Sequence, residues 1–280
     1  MKINFTKMHG AGNDFIIING FEVNINNFSL TKFAKKYCHR NFGIGADGVV
    51  LILPSDKQDF RMRIFNADGG EPEMCGNAIR CMAFYVYKHN LIASKKMRID
   101  TLAGLIVPEI INVNGANAVV KIDMGKPKFS PEQIPVNISE QDPIINYPID
   151  IEGTECLVTL VSMGNPHAVI FTEDTENFPV KKIGAVIESH SLFSNKINVE
   201  FVQVLSRKEL KMRVWERGTG ETLACGTGAC ASVVAAILQN KADNKATVQL
   251  PGGDLIIEWS LGGNVIMSGP AEIVFEGTIE

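Results

Sequence analysis

The feature that most constrains the fold of this chain is an internal repeat. Residues 61–90 and 211–240 align without a gap at an offset of 150, with seven identities in thirty positions. The identities include the pattern G-E-x-x-x-C-G, which holds Cys75 in the first copy and Cys225 in the second. Two copies are too few for a solenoid, which buries its core by stacking several repeats. The repeat therefore predicts a pseudo-symmetric pair of domains.

Both halves combine short strand-like runs with two helical segments. The predicted strands are 15–18, 49–53 and 118–122 in the first half, and 157–161, 199–205 and 254–259 in the second. The predicted helices are one capped by Ser29, one that starts after Cys75, and the segments 180–188 and 226–240. The two helices that follow the cysteines are apolar nearly all round, so each is expected to be buried inside the sheet of its own domain.

These patterns predict the α/β (α+β) fold class. We expect two pseudo-symmetric domains, each a curved, mostly antiparallel sheet wrapped around a central helix, with the active site in the interdomain cleft. Pro127, Pro131 and Pro135 interrupt any regular pattern and mark the boundary. The predicted domains are residues 1–126 and 127–269.

The composition and charge of the chain argue against nucleic acid and membranes as binding partners. With 45% hydrophobic and 21% charged residues and a net charge of -4, the chain resembles an ordinary globular protein and offers no basic surface for nucleic acid. No apolar run approaches the roughly 20 residues of a membrane span, and the first residues lack a secretory pattern. We therefore expect a cytoplasmic protein with a small-molecule substrate, without nucleic acid or membrane partners; a homodimer is compatible with the sequence.

The six cysteines are too sparse for a disulfide scaffold, and no C-x-x-C pair suggests structural zinc. Four of them are interpreted as small core residues, as buried cysteines commonly are: Cys38, Cys81, Cys156 and Cys230. Cys75 and Cys225 differ, because both precede glycine at a predicted helix start in equivalent repeat positions.

Thiols at the start of a helix are suited to proton transfer. The helix N-terminus can lower the pKa of a thiol from about 8.5 by one to several units, and its N–H groups can hold a carboxylate. Inverting a stereocentre requires a base on one face and an acid on the other, hence one thiolate and one thiol. Cys75 and Cys225 are therefore predicted to be catalytic in a racemase or epimerase. No motif indicates PLP or a dinucleotide, so no cofactor and no metal are expected.

Further motifs accompany the two cysteines. They are H-G-A-G-N-D-F (9–15), F-N-A-D-G (65–69), M-C-G-N-A-I-R-C (74–81), G-N-P-H (164–167) and E-R-G-T-G-E-T-L-A-C-G-T-G (216–228). Together they resemble the diaminopimelate epimerase family, and the similarity runs from the first residues to Gly269-Pro270-Ala271. That family interconverts LL- and meso-diaminopimelate without PLP or metal, for lysine and peptidoglycan precursor synthesis. The resemblance implies the same isomerase activity here, with a diamino diacid as substrate.

The resemblance also assigns residues. Cys75 and Cys225 correspond to the two catalytic bases, and Arg217 suits the distal carboxylate because a guanidinium can bind it in a bidentate manner. The implied substrate-binding set is Asn13, Asn66, Gly76, Asn77, Asn165, Asn198, Glu216, Arg217, Gly226 and Thr227. His167 is interpreted as a polar residue that supports the site. Gly48 stands where many relatives carry Gln, a departure that affects one polar contact. By the same analogy, residues 270–280 return to complete the first domain.

Three alternatives remain open. A proline or hydroxyproline racemase shares the two-domain plan, but those enzymes usually carry histidine where Asn77 stands, and the Glu216-Arg217 pair implies a second charged substrate end. A thiol-based redox or metal-binding protein would use Cys75 and Cys225 as a disulfide or as ligands. A catalytically silent amino-acid binding module is the third.

Overall fold

The computed structural model describes residues 2–23, 29–139 and 142–280. The chain divides into two compact units. The first comprises residues 1–123 and 268–280, and the second comprises residues 124–267. The last strand of the chain lies mainly in the first unit.

The first unit is a mixed sheet with two helices among its described residues. In chain order its elements are β1 (Ile3–Gly10), β2 (Asn13–Asn19), α1 (Leu30–Tyr37), β3 (Gly48–Leu53), β4 (Phe60–Asn66), α2 (Gly76–Lys88), β5 (Ile99–Thr101), β6 (Gly104–Ile106), β7 (Glu109–Asn114), β8 (Asn117–Asp123) and the larger part of β17 (Ile266–Ile279). The pairs β2–β3 and β4–β5 are parallel. The pairs β1–β17, β1–β2, β3–β4, β5–β6 and β7–β8 are antiparallel.

The second unit repeats this plan. Its elements are β9 (Tyr147–Ile151), β10 (Thr154–Ser162), β11 (Pro166–Phe171), α3 (Val180–Glu188), β12 (Asn198–Ser206), β13 (Glu209–Glu216), β14 (Gly220–Thr222), α4 (Gly226–Leu238), β15 (Lys245–Leu250) and β16 (Gly253–Glu258). The pairs β11–β12 and β13–β15 are parallel. The pairs β9–β10, β10–β11, β12–β13, β13–β14 and β15–β16 are antiparallel.

The two units share the order of their pairings. The succession antiparallel, parallel, antiparallel, parallel, antiparallel runs from β1 to β6 in the first and from β10 to β16 in the second, with β14 as an addition. Parallel neighbours need a crossover connection, and a helix supplies each one: α1 and α2, then α3 and α4. The predicted pseudo-symmetry and mostly antiparallel sheets are therefore confirmed.

Helices α2 and α4 are the buried helices of their units. Residues 77–86 of α2 and 228–236 of α4 are buried, and α4 contacts β10, β11, β12, β13, β15 and β16. A helix without a polar face loses least free energy when apolar side chains surround it on every side. The prediction that each lies inside its own domain's sheet is confirmed.

Helix α1 is amphipathic instead. Ser29 is its N-cap, and the Ser29 side chain accepts a hydrogen bond from the backbone N–H of Lys32 at 3.4 Å. Phe33 and Ala34 face the core of the first unit, while Lys35 and Lys36 lie in the last turn, where positive charge favours the helix dipole. Among the described residues, no helix is long and apolar enough to cross a membrane.

Candidate functional site

The helix start that follows Cys75 lies at one edge of the first unit's sheet. Because β2 and β3 are parallel and β4 is antiparallel to β3, Asn13 and Gly48 at two strand starts share this edge with Asn66 at a strand end. Cys75 is the N-cap residue of α2, and its side chain makes no capping hydrogen bond. The Cys75 Sγ donates to Asn13 Oδ1 at 3.6 Å.

Asn13 is held in one orientation by a carboxylate. Its Nδ2 donates to Asp47 Oδ2 at 2.7 Å, so its Oδ1 points toward Cys75 and also accepts from Asn77 Nδ2 at 3.0 Å. Asp47 in turn accepts from Arg40 Nη2 at 2.8 Å. The side chain of Asn13 thus presents an acceptor to the thiol of its own unit.

A buried arginine fixes the first turn of α2. Arg80 has no exposed surface, and its Nη2 donates to Asn77 Oδ1 at 2.9 Å, while its Nε donates to the carbonyl of Pro270 at 3.0 Å. Since Pro270 lies in β17, the returning strand helps to position the helix start. A charged group in such a place is tolerated only when its donors are satisfied.

The second unit has the same arrangement at the start of α4. Cys225 is the N-cap residue of α4, again without a side-chain capping bond, and its backbone is extended, as at Cys75. At the same edge of the sheet, β12 begins at Asn198 and β13 ends at Glu216. The two repeat cysteines therefore occupy equivalent places in equivalent units.

A chain of hydrogen bonds leads to Cys225. The Cys225 Sγ lies 3.5 Å from Thr227 Oγ1, which accepts from Asn165 Nδ2 at 3.2 Å. Asn165 Oδ1 lies 3.0 Å from His167 Nε2. At the far end, His167 Nδ1 lies 2.7 Å from Glu200 Oε1, and both side chains are fully buried.

The sequence-based expectation of a lowered thiol pKa is wrong for Cys225. Burial raises the pKa of the Cys225 thiol well above its ordinary value, and the carboxyl groups of Glu216 and Glu200 raise it further. Hydrogen bonds from Thr227 and from the backbone of Gly228 lower the pKa of Cys225, but by less than burial and the two carboxyl groups raise it. Desolvation of the thiolate outweighs the helix terminus, because a thiolate removed from water loses most of its solvation. Burial therefore favours the thiol form of Cys225 over the thiolate.

The remaining cysteines occupy apolar surroundings. Burial raises the pKa of Cys38 and of Cys81 to about 12, and Cys230 is fully buried in α4. Cys156 differs from the expected core position, since it is only partly buried against the core of the second unit.

The segment from Glu216 to Arg217 is anchored by Asn198. The Asn198 Oδ1 accepts from the Arg217 backbone N–H at 2.9 Å, and its Nδ2 donates to the Pro166 carbonyl at 2.8 Å. Glu216 accepts from the Thr222 hydroxyl. The guanidinium of Arg217 is exposed and donates to the Asn195 carbonyl at 3.0 Å. Asn198 thus contacts backbone groups through both ends of its amide, and the guanidinium of Arg217 has further donors that a ligand could use.

Other expected residues stand at the same strand and helix ends. Asn66 is exposed, and Gly76 and Gly226 open the two helices with partly exposed backbone. A Cβ added at Gly48 would lie 2.8 Å from the Phe65 carbonyl oxygen. This backbone arrangement therefore favours glycine at position 48.

Three residues that support the site were not predicted from the sequence. Asp47 orients Asn13, Glu200 orients His167, and Arg80 orients Asn77. Two of them left a signal in the sequence, since Arg80 is a charge within an apolar helix and Glu200 is an acid inside an apolar strand. Such isolated charges are rarely buried unless they are paired.

Comparison with known proteins identifies the family. A family model described as diaminopimelate epimerase matches residues 5–130 and 159–274. The diaminopimelate epimerase of Acetivibrio thermocellus is 53% identical over 279 residues, which cover 99% of this chain and 99% of that relative.

Solved structures share the fold at much lower identity. A PhzF-family phenazine biosynthesis protein from Bacillus anthracis superposes with a TM-score of 0.71 at 16% identity, covering 100% of this chain and 99% of that chain. A hydroxyproline epimerase from Agrobacterium vitis gives 0.67 at 14% identity, covering 99% and 92%. These likenesses concern the fold alone. The sequence matches, which span nearly the whole chain, show that this protein belongs to the diaminopimelate epimerase family of isomerases.

Proposed function

We propose that this protein interconverts LL- and meso-diaminopimelate in the cytoplasm, as a step toward lysine and peptidoglycan precursors. Cys75 and Cys225 exchange protons with opposite faces of one α-carbon. The observation that carries the proposal is the recurrence of one constellation, a cysteine as N-cap of a buried helix, in both halves of a duplicated chain. The family membership supplies the substrate.

The proton transfers balance without an external oxidant or reductant. One cysteine, as thiolate, removes the α-proton, and the electron pair is delocalised into the substrate carboxylate. The other cysteine, as thiol, delivers its proton to the opposite face and becomes the thiolate. Because the reaction runs in both directions, each cysteine is the acid for one isomer and the base for the other. The backbone N–H groups at the helix starts stabilise the carboxylate as negative charge builds on it.

The polar side chains around each helix start hold the diamino diacid. The proposed set is Asn13, Asn66, Asn77, Asn165, Asn198, Glu216, Arg217 and Thr227, with backbone donors from Gly76 and Gly226. His167 supports this set from within the second unit. Arg217 binds the distal carboxylate through its exposed guanidinium. Arg217→Lys should raise KM while changing the free energy of unfolding little, because an ammonium group cannot form a bidentate pair with a carboxylate. An unchanged KM would count against this assignment.

The test uses single cysteine variants of the full-length, reduced protein. Cys75→Ala and Cys225→Ala should each abolish conversion of LL-diaminopimelate, whereas Cys156→Ala, the matched control, should retain it. The wild type in deuterated water should place deuterium at the α-carbon of the product. Full turnover by either active-site variant would refute the two-base scheme. Inversion of L-proline in place of diaminopimelate would favour the racemase alternative.

A further inference from the structure

Glu200 is a buried carboxyl group that the proposed reaction does not use. It lies in β12 with no exposed surface, and its Oε1 contacts His167 Nδ1 at 2.7 Å. Its Oε2 is the buried side-chain oxygen without a hydrogen-bond partner among the described residues. A Cβ at Gly228, in the first turn of α4, would lie 2.6 Å from Glu200 Oε1. The chain therefore keeps a glycine in the helix where the carboxyl group packs.

The direction of the hydrogen-bond chain restricts where protons lie. Asn165 donates its Nδ2 to Thr227, so its Oδ1 faces His167 and can only accept. The His167 Nε2 must then carry a proton. Consequently the His167 Nδ1 either bears a second proton and donates it to an ionised Glu200, or is unprotonated and accepts a hydrogen bond from the O–H of a neutral Glu200.

Both states contain one proton between His167 and Glu200, and both leave the pair with no net charge. Full burial and the unpartnered Oε2 favour the neutral carboxyl, because an ionised carboxylate with an empty oxygen is costly away from water. Burial also raises the pKa of Glu200. An uncharged pair also removes the repulsion that an isolated Glu200 anion would exert on a thiolate at Cys225.

We propose that Glu200 is a positioning residue that shares one proton with His167 and thereby aligns His167, Asn165 and Thr227 as successive hydrogen-bond donors toward the Cys225 sulfur. The Thr227 oxygen accepts from Asn165, which leaves its hydroxyl proton for the sulfur. This donor stabilises Cys225 at the moment when it has delivered its proton and carries the negative charge. Its importance for turnover rests on the proposed function, whereas the proton positions do not.

The first experiment observes His167 directly. Nitrogen NMR of the full-length, ligand-free protein with labelled histidine should show a protonated Nε2 on His167, identified by its absence from His167→Gln. The signal should persist in Glu200→Gln, whose amide can donate to Nδ1, and change in Glu200→Leu, which offers no donor. An unprotonated Nε2 in the wild type would overturn the proposal.

The second experiment compares the same two variants in catalysis. Glu200→Gln should retain turnover within about threefold of wild type, whereas Glu200→Leu should lose about tenfold or more, the typical effect of one lost oriented hydrogen bond. Thermal unfolding verifies that both variants are folded. Equal turnover in the two variants, whether both are active or both impaired, would contradict the proposal.

A third readout separates this proposal from the function itself. The thiolate absorbance of Cys225, measured against pH as the difference from Cys225→Ala, should appear at higher pH in Glu200→Leu than in Glu200→Gln. The carboxyl groups of Glu216 and Glu200 both raise the pKa of Cys225. Glu216 is unchanged in both variants and the Glu200 carboxyl is missing from both, so the difference between the two variants reports the hydrogen-bond donors alone. If the wild type does not epimerise diaminopimelate, the proposed function fails, and the NMR and thiolate measurements still decide the role of Glu200. An identical thiolate titration in all three proteins would overturn it.

Discussion

Replacing Asp14 by asparagine should lower the free energy of unfolding at neutral pH, because Asp14 is a partly buried carboxylate with two cationic partners. The Asp14 carboxylate, 16% exposed, forms ion pairs with Lys7 and with Arg40, and accepts from the Asp47 backbone N–H at 3.0 Å. Burial by itself would raise the pKa of Asp14. Hydrogen bonds and charge from Arg40 and Lys7 outweigh it and lower the pKa from 3.8 to about 2.

The magnitude follows from linkage between protonation and folding. A drop from 3.8 to about 2 corresponds to about 2 kcal/mol, since one pKa unit is worth about 1.4 kcal/mol. The folded-state pKa lies below the unfolded one, so the stabilisation is fully present above about pH 4 and is lost as pH falls toward 2. Roughly half should remain near pH 3.

The assay is urea unfolding of wild type and Asp14→Asn at pH 7 and at successively lower pH. The difference in unfolding free energy should be about 2 kcal/mol at pH 7 and should shrink below about pH 4. Asp56→Asn, at an exposed position in the connection from β3 to β4, is the matched control and should change stability by less than about 0.5 kcal/mol. A difference at pH 7 no larger than the control's, or one that stays constant down to pH 3, would refute the reasoning.

Three further substitutions test close packing at two glycines and the buried hydrogen bonds of one arginine. Gly228→Ala should cost about 1–3 kcal/mol and reduce turnover, because the new Cβ would lie 2.6 Å from Glu200 Oε1; urea unfolding and the epimerase assay check both, and a stable, fully active variant would disprove the contact. Gly184→Ala should cost a similar amount, since its Cβ would lie 2.6 Å from the Trp215 Cβ. An unchanged unfolding midpoint followed by tryptophan fluorescence would speak against it. Arg80→Met should lower stability by about 2–3 kcal/mol through loss of charged hydrogen bonds; equal unfolding free energies would show that the buried guanidinium does not stabilise the fold.

The two units orient the amides of Asn13 and Asn165 in opposite directions relative to their cysteines. In the first unit the Asp47 carboxylate binds the Nδ2 of Asn13, which leaves the amide oxygen facing the thiol. In the second unit His167 binds the Oδ1 of Asn165, which turns the amide nitrogen toward the hydroxyl beside the thiol. One scaffold therefore gives its two cysteines different hydrogen-bond environments.

The elements that could be predicted are those set by neighbours in sequence. The Ser29 cap, the helix Val180–Glu188 and the buried helices after each cysteine follow from capping chemistry and apolar periodicity within a few residues. Boundaries that depend on strand partners were less accurate. The predicted strand 157–161 runs over Thr154–Ser162, because pairing with β9 extends its start.

The sequence alone determined that two equivalent units each place a cysteine at the start of a buried helix, since a repeat preserves its pattern of glycines, strands and helix starts wherever it folds. Only the tertiary structure decided how those cysteines are tuned. The sign of the pKa shift at Cys225 depends on a balance between desolvation and helix N–H groups. The direction of the amides depends on Asp47 and Glu200, which lie more than thirty residues away along the chain from their partners Asn13 and His167. Electrostatic energies depend on distance and on exclusion of water, and both are set by packing between segments that are remote in sequence.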